Sequence, residues 1–403
     1  MEQVLIDLGH SPPSNSFLEG SQLHEPEEHF PLKAFICGDC FLGQIPAHVH
    51  PDKIFGKSYP YFSSCSQTWV DHCKSYVEEI ILALDLGQNS RVIEVASNDG
   101  CLLENFVKKG IPVLGIEPSK SPARQAIVKR NILTLPDFFG SDLAKSLKEE
   151  NNSADLIVAN NVLAHVPDLN DFIEGFKILL KDNGVLTIEA PSLMNLIKQN
   201  QFDTIYHEHF SYFSFLTMNK ALNRHGLEVY DVREIPTHGG SFRVYSRHKE
   251  DDSIPINKRV IKLLAKEEEA GMKSFSFYQG LTEKAKAVRL ETLSFLINEA
   301  KEGRKVVGYG AAAKGNTFIN YCGIGPHLLN YVADVTPDKQ GKYLPGSHIP
   351  VYSEERLRET NPDTILILPW NFKEEIRGRL HNIFGGKKVP KLMVAIPQLE
   401  SLN

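Results

Sequence analysis

The chain has 403 residues, 42% of them hydrophobic and 23% charged, with a formal net charge of −6. That length has room for about two or three domains with real apolar cores, and the charge excludes bulk attraction to nucleic acid or to an anionic membrane. The start has no basic end followed by a long apolar region, and no apolar run approaches a membrane span of about 20 residues, so a cytoplasmic protein is expected.

Residues 1–75 are rich in Pro, Ser, Asn and His and read as loops rather than a long helix. Of the six cysteines only Cys37 and Cys40 are closely spaced, which is no disulfide framework. In Cys37-Gly38-Asp39-Cys40 the glycine lets the chain turn tightly, so both thiolates can face one metal. A structural zinc usually takes two such pairs, and no second pair is present. His48, His50, Cys65 or Cys73 could complete a set by spacing; a reduced, partly buried pair fits equally well. YPYFSS, residues 59–64, either lines a cleft or packs against a neighbouring domain, and pattern alone favours packing. A helix is predicted from Gln67 to Leu86.

The stretch that organises the rest is RVIEVASNDGCLLENFVKKGIPVLGIEPS, residues 91–119. An apolar β-branched run at 91–96 predicts a buried strand, 97–100 a tight turn, 101–109 a helix, and 111–116 a second buried strand closed by Glu117. A βαβ unit of this kind holds nucleotide-like ligands at the turn leaving its first strand. The dinucleotide pattern G-x-G-x-x-G is missing, so no pyrophosphate cradle is evident. Glu94, Ala96, Asn98, Asp99 and Gly100 surround the turn instead, and Glu117 stands where a carboxylate can accept the paired hydroxyls of a ribose. The combination suits S-adenosylmethionine (SAM) better than NAD; a plain βαβ unit with a chance acid is the competing reading.

Further along, Asp137 follows a third short strand and either reaches an adenine edge or caps a helix starting near Gly140. A fourth strand at 156–159 leads into Asn160, Asn161 and His165, at the strand ends where α/β sheets build chemistry; His165 could equally cap the local helix. Tyr206-His207-Glu208-His209 places a phenol, a carboxylate and imidazoles within four residues, a proton-transfer set that works near neutral pH. Zinc ranks lower there, because adjacent positions cannot easily aim three side chains at one ion. In THGGSFRVYSR, residues 237–247, Gly239 and Gly240 permit either close backbone approach to a ligand or a plain hairpin turn.

Residues 251–302 read as a helical arm, after which VVGYGAAAKGNTFINYCGI, 306–324, begins a fresh βαβ unit. Gly308, Gly310 and Gly315 lie between its strand and helix, with Lys314 able to meet a phosphate. Two nucleotide-shaped halves imply two nucleotide-like ligands, a methyl donor and a nucleotide-linked acceptor.

In order and spacing, SPPSNSF, the Cys37/Cys40 knuckle, YPYFSS, EVASNDG, ANNVLAHVPD, YHEHFSYFS, THGGSFRVY and GYGAAAKGNTFIN resemble the sugar C-methyltransferases that act on carbon 3 of nucleotide-linked 4-keto-6-deoxyhexoses, enzymes of branched-chain deoxysugar biosynthesis. The resemblance covers essentially the whole chain. It implies an α/β protein with a small N-terminal zinc-knuckle-like and substrate-lid domain (1–75), a Rossmann-like SAM methyltransferase domain (76–246), and a second Rossmann-like α/β domain with a helical arm that binds the nucleotide sugar (247–403). Family members carry an earlier C-x-x-C, which this sequence lacks, so zinc is expected to have only Cys37 and Cys40 as matched ligands. By motif, His209 would be the base that removes the carbon-3 proton, with Glu208 and Tyr206 orienting it or stabilising the enolate. Tyr61, rather than Tyr59, would sit over the sugar. Asn161 and His165 would touch the substrate, as would Gly310, Lys314 and Asn316 in the second half. Glu94, Ala96, Asn98, Gly100, Glu117, Asp137 and Asn160 would surround SAM. The acceptor would carry a thymidine or guanosine diphosphate, with no nucleic-acid or membrane partner. An NAD-dependent sugar-nucleotide oxidoreductase and a non-catalytic sugar-nucleotide-binding protein are the alternatives.

Overall fold

The buried apolar runs assemble into three sheets in a computed structural model that describes residues 3–50, 54–55, 61–385 and 389–402. Tyr59 lies outside the described residues.

The central sheet has seven strands. Val92–Val95 lies in its middle, parallel to Val113–Ile116 on one side and to Ala154–Asn160 on the other. Thr134–Leu135 extends the first side and Leu180–Pro191 the second, both still parallel. Leu227–Ile235 and Ser241–His248 then form an antiparallel hairpin, with Ser241–His248 paired to Leu180–Pro191. Strands covered on both faces are mostly apolar, and all four residues of Val92–Val95, Glu94 included, are buried. Because the chain leaves the central strand toward both sides, a crevice opens at the strand carboxyl ends beside Val95.

The second α/β half repeats this plan. Val306–Tyr309 sits between Val332–Ala333 and Thr364–Ile367, with Val351–Tyr352 and Lys391–Val394 outside them, all parallel, and Glu400–Ser401 antiparallel at the edge. The expected helical arm is two helices, Lys258–Glu269 and Leu281–Lys301.

The N-terminal sheet runs Gln3–Ser11, Phe30–Ile36, Gly43–Gln44 and then Ser211–Tyr212, a strand supplied from far along the chain. Its apolar face does not close a core of its own. Ile6, Leu32 and Ile36 share one continuous cluster with Phe202 and with Phe318, Leu366 and Val306 of the second α/β half. Phe202 is fully buried there, its ring 5.2 Å from Tyr321 and 6.3 Å from Phe318, worth about 1.5–3 kcal/mol of burial. Beside it, Trp370 Nε1 donates to Asp203 Oδ2 at 2.8 Å. The core thus fixes how the second half sits on the strand ends of the central sheet.

Burial pushes the Asp203 carboxyl up to about 6, with nearby Lys314 opposing the shift. A raised folded-state pKa gives stability that is present below the unfolded value and lost as pH rises through about 6. Asp203→Asn keeps an acceptor for Trp370 and cannot ionise. Its stability relative to wild type should therefore improve by about 2–3 kcal/mol between pH 4 and pH 8, read from denaturant midpoints. A pH-independent difference would contradict the burial of an ionised Asp203.

Candidate active site

A cavity of about 560 Å³ occupies the crevice at the carboxyl ends of the central strands, roofed by the N-terminal segment and the second α/β half. Its walls take in Ala96, Asn98, Glu117, Asp137, Asn160 and Asn161, as expected from the sequence, and also Tyr61, His165, Tyr206, Glu208, His209 and Lys314. Four expected contacts do not reach it. Glu94 stays buried within its strand, and Gly100 turns the chain at φ 76°, where a Cβ would stand 2.9 Å from Ile132 Cδ1. Gly310 is closed against the Pro369 ring, and Asn316 is buried away from the cavity. A glycine-rich turn thus serves close packing here rather than ligand approach.

At one end of the cavity, the turn after Val92–Val95 places Ala96 and Asn98 in the left-handed region, at φ 58° and 49°. Asn tolerates that region better than most side chains. The conformation aims the Asn98 N–H at Glu117 Oε2, 2.9 Å away, while Ser119 N donates to Oε1 at 2.7 Å. Burial raises the Glu117 pKa against the pull of the Ser119 bonds. Both polar atoms of the Asn160 side chain and Asn161 Oδ1 are buried without a partner among the described residues. Unsatisfied groups of this density ask for a polar ligand. Asp137 keeps its place on the wall and does not cap the next helix: Gly140 is that helix's N-cap, and Ser141 N points to Asp171.

The Asn98 side chain has a different task from the one expected of it. Its Oδ1 accepts from Ser63 N at 2.8 Å, and its Nδ2 donates to the Tyr61 carbonyl at 3.1 Å. Ser64 adds bonds from N and Oγ to Asp99 Oδ2. A few residues on, Glu375 of the second half accepts from Ser66 Oγ and Thr68 Oγ1. The segment bearing Tyr61 is therefore pinned to the turn on one side and to the second half on the other.

In the middle of the cavity, His209 Nδ1 donates to the Thr204 carbonyl at 2.8 Å, which leaves Nε2 as the acceptor, 2.7 Å from the Tyr206 hydroxyl. Burial, then neighbouring His165, pushes the His209 pKa well below the ordinary histidine range, so the ring is neutral at neutral pH. The His165 ring stands edge-on to it at 4.7 Å, and its Nδ1 donates to the Glu208 carbonyl at 2.9 Å. His165 is thus part of this wall and caps no helix; Asp168 caps the next one. The expectation that Glu208 orients His209 is corrected: the Glu208 carboxylate accepts from Asn15 Nδ2 at 2.8 and 3.0 Å, tying down the N-terminal segment. Thr204 and Tyr206 orient the imidazole instead.

On the wall supplied by the second half, Lys314 Nζ bonds Asn371 Oδ1 at 2.9 Å and lies 4.8 Å from the Trp370 ring. Lys339, held by the Ala311 carbonyl at 2.9 Å, also reaches the wall. Sequence reasoning missed Asn15, Thr204, Asn371 and Lys339. Only Asn15 carried a signal, inside SPPSNSF.

Family models agree with this geometry. One described as "C-methyltransferase C-terminal domain" matches residues 236–397, "Methyltransferase domain" matches 71–232, and "Putative zinc binding domain" matches 2–55. The C-methyltransferase NovU of Streptomyces niveus is 32% identical over 92% of this chain and 88% of its own length. The chain belongs to the C-methyltransferase family. It is a SAM-dependent methyltransferase with a Rossmann-like core. A ubiquinone biosynthesis O-methyltransferase of Pasteurella multocida (strain Pm70) is 31% identical over 24% of the chain and 44% of its own length. Among solved structures, the magnesium protoporphyrin IX methyltransferase ChlM from Synechocystis PCC 6803 with bound SAM is 15% identical, with a TM-score of 0.33 over 44% of this chain and 80% of that one.

In this C-methyltransferase the Cys37/Cys40 knuckle is formed: Cys37 N donates to the Leu42 carbonyl at 3.0 Å and Phe41 N to the Cys37 carbonyl at 3.1 Å. Among the described residues no group of three or more His, Cys, Asp or Glu side chains is placed to hold a metal ion. Cys73 is buried in another core and His50 faces the cavity, so neither joins the pair. Two thiols do not make the closed tetrahedral set of a structural zinc.

Asn98→Gly accepts the left-handed backbone and removes both side-chain bonds to the Tyr61 segment. Amide exchange at Ser63 should accelerate by about tenfold or more, read by hydrogen-exchange mass spectrometry. Unchanged protection would mean the clamp does not hold the segment.

Proposed function

We propose that this C-methyltransferase acts on carbon 3 of a nucleotide-linked 4-keto-6-deoxyhexose, in branched-chain deoxysugar biosynthesis. The observation that carries the reading is the buried, neutral His209, locked by Thr204 with its accepting nitrogen on the cavity. Carbon becomes nucleophilic only after losing a proton, and a ketone next to that carbon makes the proton removable.

His209 Nε2 takes the carbon-3 proton. The C–H electron pair becomes the carbon 3–carbon 4 double bond, and the ketone oxygen becomes the enolate oxygen. The Tyr206 hydroxyl, which donates to Nε2 in the free site, turns from it to free that lone pair, and with Tyr61 donates to the enolate oxygen. Asn161 and His165 border the same space and hold the sugar. Bound SAM supplies a methyl group on a sulfonium, which carbon 3 accepts as the thioether leaves. Ala96, Glu117, Asp137 and Asn160 would hold it, Glu117 offering an acceptor to the ribose and the unpartnered Asn160 amide serving its polar groups. Asn98 contributes through its backbone N–H to Glu117. The thymidine or guanosine diphosphate of the acceptor then falls at the Lys314 and Lys339 end. NovU, by its name a C-methyltransferase, supports the class of reaction.

Two measurements test this. In heavy water without SAM, a 4-keto-6-deoxyhexose linked to thymidine or guanosine diphosphate should exchange deuterium at carbon 3 above the no-enzyme background. His209→Ala should abolish that exchange while leaving SAM affinity unchanged, and Glu117→Ala should weaken SAM by roughly tenfold or more. No exchange with either nucleotide, even with S-adenosylhomocysteine bound, would remove this substrate class. Because burial depresses the His209 pKa, the acid limb of the exchange rate should lie below pH 6.5. An acid limb near pH 7 would point to a different base.

A further inference from the structure

The hairpin turn between Leu227–Ile235 and Ser241–His248 presents an imidazole that the acid–base set does not use. His238 adopts φ 55° and ψ 27°, a left-handed conformation that strains a residue carrying a β-carbon. Two glycines at φ 85° and 103° follow, where a Cβ would strike the Trp370 ring and the Asn195 amide. The turn is therefore closed tightly on protein, and what it gives the cavity is the His238 ring. That ring stands edge-on to Trp69, centroids 5.4 Å apart, and to Phe372 of the second half, 6.4 Å away. Nδ1 is buried with no hydrogen-bond partner among the described residues. His165 and His209, by contrast, are each tied to a backbone carbonyl. A strained backbone that delivers an unpaired imidazole into a cavity is explained by a ligand.

The surroundings indicate what the ligand offers there. Lys314 lies close enough that, after burial, its charge is the next cause holding the His238 pKa down at about 4. Lys314 opens the helix Ala313–Cys322, whose N-cap, Ala312, has no side chain to occupy the first-turn amides; those N–H groups favour an anion. Ala312 and Ala313 also line the cavity.

We propose that His238 is a substrate-binding residue whose imidazole N–H donates to a phosphoryl oxygen of the acceptor's diphosphate, beside the Lys314 ammonium. The assignment rests on the nucleotide-linked acceptor proposed above. A neutral imidazole is the suitable partner for Lys314, since it adds a directed donor without a second positive charge. The left-handed turn sets the direction of that donor.

The test is calorimetric titration of the full chain with thymidine diphosphate, guanosine diphosphate and S-adenosylhomocysteine, using wild type, His238→Gly and His238→Asn. Glycine relieves the left-handed strain and asparagine tolerates it, so both variants should fold. Unchanged S-adenosylhomocysteine affinity reports that they have. The affinity for the preferred nucleoside diphosphate should fall roughly tenfold to a hundredfold in both. With the full substrate, KM should rise by a similar factor while kcat stays within about threefold. Nucleoside diphosphate affinity retained in both variants would overturn the His238 assignment alone. Wild type that binds S-adenosylhomocysteine but neither nucleoside diphosphate would overturn the acceptor reading, and His238 with it.

Discussion

The 2.8 Å hydrogen bond from His209 Nδ1 to the Thr204 carbonyl decides which nitrogen of that ring faces the cavity, and the rest of the site is arranged around that choice. Thr204 closes a short helical turn, Phe202–Thr204, anchored by the burial of Phe202 and by the bond from Trp370 to Asp203. The orientation of the imidazole is therefore inherited from the core shared by the N-terminal sheet and the second α/β half. A carbonyl cannot change its protonation state, so the tautomer it imposes holds across a wide pH range.

The cavity is a meeting of three chain segments rather than a pocket in one sheet. Asn15 reaches Glu208 from the N-terminal segment, Asn98 reaches the Tyr61 segment from the central sheet, and Lys314 arrives from the second half. Each contact spans a large sequence distance, so each depends on the others being formed. Such a site is preorganised by tertiary packing, and local propensity contributes little to it.

This explains what could be read in the sequence and what could not. The parallel strands were legible because strands buried on both faces leave short runs rich in β-branched residues, as with Val92, Ile93 and Val95 and with Val306 and Val307. The cluster 206–209 was legible because its reactive groups are adjacent. Partnerships were not: nothing local tells that Asn98 spends its amide on Tyr61 and Ser63, or that Glu208 answers to Asn15. Gly310 was placed against a ligand although it faces Pro369, because a glycine's lack of a side chain records a close approach without naming what approaches. Thr204 was invisible since its contribution is a backbone carbonyl, which every residue has.

The strand Ser211–Tyr212 completes the N-terminal sheet by pairing with Gly43–Gln44, and it begins two positions after His209. On the ribosome, the first segment emerges long before this strand exists. Its sheet must wait with an open edge until Tyr212 has been made, and its apolar face must wait longer for the second half. The N-terminal sheet thus cannot be completed before the central sheet has been largely synthesised. A chain that stops before Tyr212 therefore lacks a finished first sheet, and one that stops before Phe372 lacks part of the cavity wall.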